Sequence, residues 1–176
     1  MKILDVGCGN VKIAGAVGID VSPATQADVV HDLNRIPWPL AAGEFDRVNC
    51  QDVLEHLDDV IAAMEEIHRV LKPGGAVTIR VPHFSSVQAF TDITHKHFFS
   101  TQSFDYFSPT ASLFLHYSTA RFAVEIARLT LWRPYRFLGI EFLANAFPLR
   151  YEKMFAFVFP AQFIEFRLKA LPAERR

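Results

Sequence analysis

The residues of this chain best suited to chemistry fall into two groups. The first is a set of acids and amides spread along the N-terminal half: Asp5, Asp20, Asp32 and the pair Gln51-Asp52, with the turn Gly7-Cys8-Gly9 just after the first of them. The second is a polar and aromatic stretch from His83 to Ser100 that holds His83, Asp92, His95 and His97 among serines, threonines and phenylalanines. Glycines at 7 and 9 let the backbone turn sharply and let a ligand lie against it. An acid placed like Asp20, at the end of a strand, can accept two hydrogen bonds from ribose hydroxyls. A histidine titrating near neutrality can take a proton from a hydroxyl or an amine. The first group therefore points to a nucleoside-containing ligand, and the second to substrate contact or base chemistry.

The elements that must position these groups follow from periodicity. Residues 2–6 form an apolar run of the kind a central parallel strand needs, with Ile3, Leu4 and Val6. Further strands are expected over 16–20, 27–32, 45–50 and 76–82. Between the last two, Asp58 or Asp59 caps a helix running through Leu71, with Val60, Ile61, Met64, Ile67, Val70 and Leu71 on one stripe. Glu65 and Arg69 are spaced to pair on its outer side, and Pro73-Gly74-Gly75 stops it. This alternation argues an open α/β sheet that is mostly parallel. In such sheets ligands bind beyond the carboxyl ends of the strands, where Asp5 to Gly9, Asp20, Asp32, Gln51-Asp52 and Pro82-His83 all fall. The span from Gly9 to the second strand is the anomaly: a full crossover takes about a dozen residues or more, and here there is room for one turn at most. Beyond residue 83 the rhythm breaks. A short helix is expected over 111–118, a strand over 122–131, aromatic helices over 135–159 interrupted by Pro148, and a last strand over 163–168. Phe155, Phe157, Phe159 and Phe163 alternate like a strand and read as core, with any surplus left for a dimer surface or an apolar substrate.

Composition narrows the class. At 176 residues, with 51% hydrophobic and 21% charged residues, one domain (1–176) with a substantial core is expected. It divides into a cofactor-binding half, 1–82, and a substrate-side half, 83–176. The net charge is −1: residues 1–72 hold 12 acids and 6 bases, and residues 73–176 hold 7 acids and 12 bases. No dense Lys/Arg run marks a nucleic-acid face, no apolar run is long enough to span a bilayer, and no signal peptide is seen. Two cysteines, Cys8 and Cys50, make no disulfide framework, so a cytoplasmic location is expected.

Several segments in order, Leu4-Asp-Val-Gly-Cys-Gly9, Gly18-Ile-Asp-Val-Ser-Pro23, Val53-Leu-Glu-His-Leu57 and Arg69-Val-Leu-Lys-Pro-Gly-Gly75, resemble the class I S-adenosylmethionine-dependent methyltransferases, a small bacterial branch with a shortened first crossover. The resemblance covers residues 2 to about 82. It implies a Rossmann-like fold, with the last two strands as an antiparallel hairpin and the first crossover helix shortened or absent. It implies S-adenosyl-L-methionine as cofactor. Asp5, Gly7, Cys8 and Gly9 would line its amino-acid part, Asp20 would hold the ribose with Val21 beside the adenine, Asp32 and the Leu33 amide would meet the adenine, and Gln51 would lie near the methionine moiety. A dinucleotide is disfavoured, because the third glycine and the long helix that receive a pyrophosphate are missing.

The expected function is methyl transfer to a small-molecule or glycan or lipid acceptor, with His83, Asp92 and His95 as the catalytic candidates. The alternative is a non-catalytic scaffold or regulatory subunit on the same fold. That alternative is motivated by the short first crossover and by a chain that starts at strand one, without the helices that usually cover the cofactor. Either the cofactor site is open, or a homodimer partner covers it. A metal held by Asp92, His95 and His97 is the least favoured reading of the histidine stretch, and no metal is assigned. Cys8 and His56 read as structural.

Overall fold

The structure, a computed structural model, describes residues 1–110 and 117–172. Seven strands, β1 (Ile3–Val6), β2 (Val17–Asp20), β3 (Val29–Val30), β4 (Phe45–Gln51), β5 (Leu71–Pro82), β6 (Phe122–Leu131) and β7 (Ala161–Ala170), form one sheet in the order β3-β2-β1-β4-β5-β7-β6. β1 to β5 pair in parallel, while β7 runs antiparallel to both β5 and β6. The chain thus reverses strand order at β1 and β4, and the site must form at their carboxyl ends. The sheet class, the terminal antiparallel hairpin and the absence of a helix between β1 and β2 match the sequence reading. The short helix expected over 111–118 falls mainly outside the described residues.

One long helix, α1 (Val60–Val70), connects β4 to β5. Asp59 caps it by accepting from the Ala62 amide at 3.0 Å, a contact worth about 1 kcal/mol. Its stripe of Ala63, Met64, Ile67 and Val70 is buried, each large side chain contributing about 1.5–3 kcal/mol. Arg69 does not pair with Glu65 as the spacing suggested. It forks onto the buried Glu66 and also donates to the carbonyls of Trp38 and Leu40. Glu66 in turn accepts from the Trp38 amide at 2.7 Å, so the Pro-Trp-Pro loop is stitched to α1, and Glu65 is used by Ser118 and Thr119. The strand β5 starts directly after α1, and its ladder with β4 jumps from Phe45–Leu71 to Arg47–Ala76. Pro73, Gly74 and Gly75 therefore sit in an irregular stretch of β5, not in a separate turn.

The two faces of the sheet differ. Val48, Val77 and Leu168, and in the next row Cys50, Ile79 and Phe166, point into the core. Their neighbours Asn49, Thr78 and Arg167, and then Gln51, Arg80 and Glu165, face the other way and are half-buried or exposed. β4 and β5 therefore alternate, unlike parallel strands covered on both sides.

Past β5 the chain forms α2 (Gln88–Thr91), a 3-10 turn (Ser103–Phe107), β6, then α3 (Arg133–Phe137), α4 (Ile140–Ala146), α5 (Pro148–Met154) and β7. Pro148 opens α5 at its first turn, where a missing N–H costs nothing. The aromatic tail is only partly core. Residues 155–158 are turns, not strand, and Phe155 and Phe157 are exposed together with Phe137 and Phe142. No helix among the described residues is long and apolar enough to cross a membrane.

Candidate functional site

β1 ends in a turn that the sequence builds around Asp5. Its carboxylate is buried and accepts from the Ile13 amide at 2.9 Å and from Asn49 Nδ2 at 2.7 Å. These bonds replace a crossover helix as the support of the 7–16 connection. Gly7 adopts φ +63° and lies so close to β4's exit that a Cβ would stand 2.3 Å from Val53 Cγ2. Glycine is required here for backbone shape and for space. The Gly9 amide donates to Asp20 Oδ2 at 3.0 Å, and the Ser22 amide to Oδ1 at 2.9 Å. Asp20 is therefore aimed before any ligand arrives. Asp32 caps its own turn by accepting from the Asn34 amide at 3.1 Å.

Three cavities meet along this rim. One, of about 300 Å³, is lined by Asp5, Gly7, Cys8, Val11, Asn49 and Gln51. A second, of about 330 Å³, is lined by Gly7, Asp20, Val21, Asp32, Leu33 and Val53. The third, of about 580 Å³, is lined by Glu55, Pro82, Gln88, Asp92, His95 and Phe163. Asp52 lines all three. It is a non-glycine at φ +54°, with its amide donating to the Arg80 carbonyl at 2.9 Å and its carboxylate paired to the Arg80 guanidinium. Asp tolerates this left-handed conformation better than most residues. Arg80 also stacks 4.9 Å from the Phe163 ring centroid, which joins β4, β5 and β7 at this point.

The third cavity has its own chemistry. Glu55 and His56 lie on the 3-10 turn Leu54–His56 that follows β4. The Glu55 carboxylate is fully buried and neither oxygen has a hydrogen-bond partner. Burial pushes its pKa up to about 7, with the charges of Asp52 and Asp92 adding to the rise. The His56 and His95 rings meet edge to face at 4.6 Å. Burial lowers the His56 pKa, and His95 lowers it further. Asp92 is held below its ordinary value by hydrogen bonds from the Thr94 hydroxyl and amide.

The sequence-derived candidates divide in space. Asp5, Gly7, Cys8 and Gln51 line the first cavity, and Asp20, Val21, Asp32 and Leu33 line the second, with Gly7 on both. Gly9 contributes its amide to Asp20 instead of a cavity wall. Burial raises the Cys8 thiol pKa, which suits a packing residue. Asp92 and His95 share the third cavity, but His83 does not reach it. Pro82 ends β5, and His83 turns into the core, fully buried. Its Nδ1 is 2.7 Å from Ser85 Oγ and its Nε2 3.4 Å from Glu152, and its ring lies against Phe84 and Tyr151. His97 is turned to the Leu57 carbonyl at 2.9 Å. Sequence reasoning placed Asp52 with Gln51 at the strand ends but gave it no role of its own, and it passed over Arg80, Glu55 and His56 as site residues. Asp52 was legible, since it follows Gln51 beyond the strand. Arg80 carried no signal, because only the β4–β5 register sets it opposite Gln51.

Residues 4–79 match the model of a family described as a methyltransferase domain. A ubiquinone biosynthesis O-methyltransferase of Pseudomonas aeruginosa is 32% identical across 43% of this chain and 42% of that protein, so the chain matches well under half the length of this relative. Among solved structures, an S-adenosylmethionine-dependent methyltransferase of Archaeoglobus fulgidus superposes with a TM-score of 0.58 at 18% identity, covering 96% of this chain and 85% of that one. The [4+2]-cyclase SpnF superposes with a TM-score of 0.59 at 17% identity, covering 98% and 76%. One sheet thus serves different chemistries, and activity has to be argued from the site. The match over residues 4–79 makes the N-terminal part of this chain similar to a methyltransferase domain, and its strand order is the fold of the solved methyltransferases it superposes on.

Proposed function

We propose that this chain binds S-adenosylmethionine across the first two cavities and directs its methyl group to a hydroxyl of a small or lipid-like acceptor held in the third. The observation that carries the reading is the meeting of three cavities at Asp52. The cofactor supplies an electrophilic methyl on a sulfonium. The walls suit a ligand with positive charge: Asp5 and Asp52 line the first of these cavities and Asp20, Asp32 and Asp52 the second, and no helix follows the glycine turn between β1 and β2 to receive a pyrophosphate. Asp20 offers its outer lone pairs to the ribose hydroxyls while its inner ones stay on Gly9 and Ser22. Asp32 and the Leu33 amide face the adenine, and Gln51 the methionine end. Asp5, whose oxygens are already used by Ile13 and Asn49, shapes the turn and sets the local charge.

Methyl transfer is a direct displacement, and alignment of the two reactants supplies most of the acceleration. The acceptor's nucleophile faces the carboxylates of Asp52, Glu55 and Asp92 and the imidazoles of His56 and His95, a wall suited to a group that must lose its proton. Ile93, Pro82 and Phe163 give the same cavity an apolar side. An oxygen acceptor is favoured by this wall and by the relatives' description as O-methyltransferases. Calorimetry with S-adenosylhomocysteine tests the first half of the reading. Saturable binding that Asp20→Ala removes is expected, and a folded protein that shows no heat at about millimolar ligand (weaker than about −4 kcal/mol) sinks it. Transfer of labelled methyl from S-adenosylmethionine to a panel of hydroxylated small molecules tests the second half.

A further inference from the structure

The least satisfied group in the described residues is the Glu55 carboxylate, buried and without a hydrogen-bond partner. A bare buried carboxylate costs free energy unless something meets it. What stands in front of it is a pair of imidazoles: Glu55, His56 and His95 each bring one ligating atom, and these atoms lie within 4.8 Å of one another. The surrounding hydrogen bonds settle which ring nitrogens are free. Thr94 Oγ1 donates its one hydrogen to Asp92 Oδ1 at 2.7 Å. Toward His56 Nδ1, at 2.8 Å, it can therefore only accept, so that nitrogen carries the proton and His56 Nε2 keeps a bare lone pair. His95 Nδ1 is 3.2 Å from the Ala89 carbonyl, which only accepts. His95 Nε2 is left bare in the same way. Two histidines with Nδ1 tied to outer acceptors and Nε2 turned free are arranged as metal-binding histidines usually are.

We infer that Glu55, His56 and His95 form a binding site for a divalent transition-metal ion at the wall of the third cavity. The donor set of two imidazoles and one carboxylate suits zinc, iron, cobalt or manganese better than magnesium or calcium, which take oxygen ligands. An ion sits about 2.1 Å from such donors, so they must close to roughly 3.4 Å from one another, a side-chain adjustment. Three protein ligands would leave the ion room for a further ligand from the cavity, which Gln88, Thr91 and Asp92 also line. Asp92 holds Thr94, Thr94 holds His56, and Ala89 on α2 holds His95, so the segment from 88 to 95 acts as the outer support of the site. Metal binding itself does not depend on the methyltransferase reading. The ion's further role, polarising an acceptor oxygen so that it loses its proton, rests on that reading.

The test uses the full chain, stripped with a chelator and titrated with Co²⁺ in the absence of cofactor and acceptor. Visible d–d absorption of a low-coordinate site, saturating at one ion per chain, is expected. Glu55→Gln and His95→Gln should each weaken Co²⁺ affinity by about 10-fold to 100-fold or more, while His31→Gln, on the exposed β3 side, should leave it unchanged. Glu55→Gln keeps the side chain's shape, and circular dichroism checks that each variant is folded. Absence of a Co²⁺ spectrum, or equal affinity in the parent and the two ligand variants, overturns the site. Metal binding without S-adenosylhomocysteine binding would keep the site and defeat the methyltransferase reading. Binding of S-adenosylhomocysteine without metal would do the reverse.

Discussion

Two ends of one rim treat Asp20 and Glu55 in opposite ways. At the β1–β2 end, Asp5 and Asp20 each accept two hydrogen bonds from the chain, and Asp32 accepts one. At the β4–β5 end, Glu55 is more deeply buried than Asp20 or Asp32 and accepts none. The first arrangement fixes where negative charge stands before any ligand binds. The second leaves a charge that must find a proton, an ion or a substrate. A further buried acid, Glu152 on α5, follows the first pattern, since it accepts from the Thr101 amide at 2.6 Å and faces His83. Glu55 thus stands apart even within the third cavity, where Asp52 is paired to Arg80 and Asp92 accepts from Thr94.

The largest expected effect is at the packed turn. Gly7→Ala should destabilise the protein by about 2–4 kcal/mol, from left-handed backbone strain and overpacking on Val53. The urea midpoint reads it, and adding Val53→Ala should return the steric share. No change in the first variant would mean that the turn is loose and the β1–β2 end not preset.

Next is the direct contrast of the two ends. Asp20→Ala strands the Gly9 and Ser22 amides and should cost about 1–3 kcal/mol. Glu55→Gln breaks no protein hydrogen bond and should cost less than about 1 kcal/mol. Equal losses would erase the distinction between tied and bare acids.

The smallest effect is set by pH. Burial pushes the Glu152 pKa up, but the bonds from His83 and Thr101 outweigh it, so the folded value lies below the ordinary one. A depressed carboxylate stabilises the fold above the unfolded value of about 4.3 and loses that contribution as pH falls through the folded pKa. His83 and Tyr151 are the titratable groups packed against it. Glu152→Gln should therefore cost about 1 kcal/mol near neutrality and almost nothing in strong acid, measured by urea unfolding at both pH values. A difference that does not change with pH would show that Glu152 acts by shape alone.

Much of the β1–β2 end was legible from the residues. The glycines at 7 and 9 and the acids at 20 and 32 report local requirements: a turn, a close approach, a strand end. The third cavity was half legible. Asp92 and His95, which line it, were singled out because they are crowded by other polar residues in sequence, and His83 was included for the same reason. Only packing separates them, since Pro82 sends His83 into the core while α2 carries Asp92 and His95 back over the turn at Glu55. The pairing of Arg69 with Glu66 instead of Glu65 was hidden too, because it depends on where the Trp38 loop lies.

The amino-acid sequence by itself determined the strands, the long helix α1, the missing first crossover helix and most of the residues that line the cavities at β1 and β2, because these follow from periodicity and from backbone freedom within a few residues. The tertiary structure alone decided that Asp52 stands at the junction of three cavities, that one sheet face is polar, and that Glu55 and His56 meet His95. Those facts depend on strand register and on contacts between residues some forty positions apart, which no local pattern encodes.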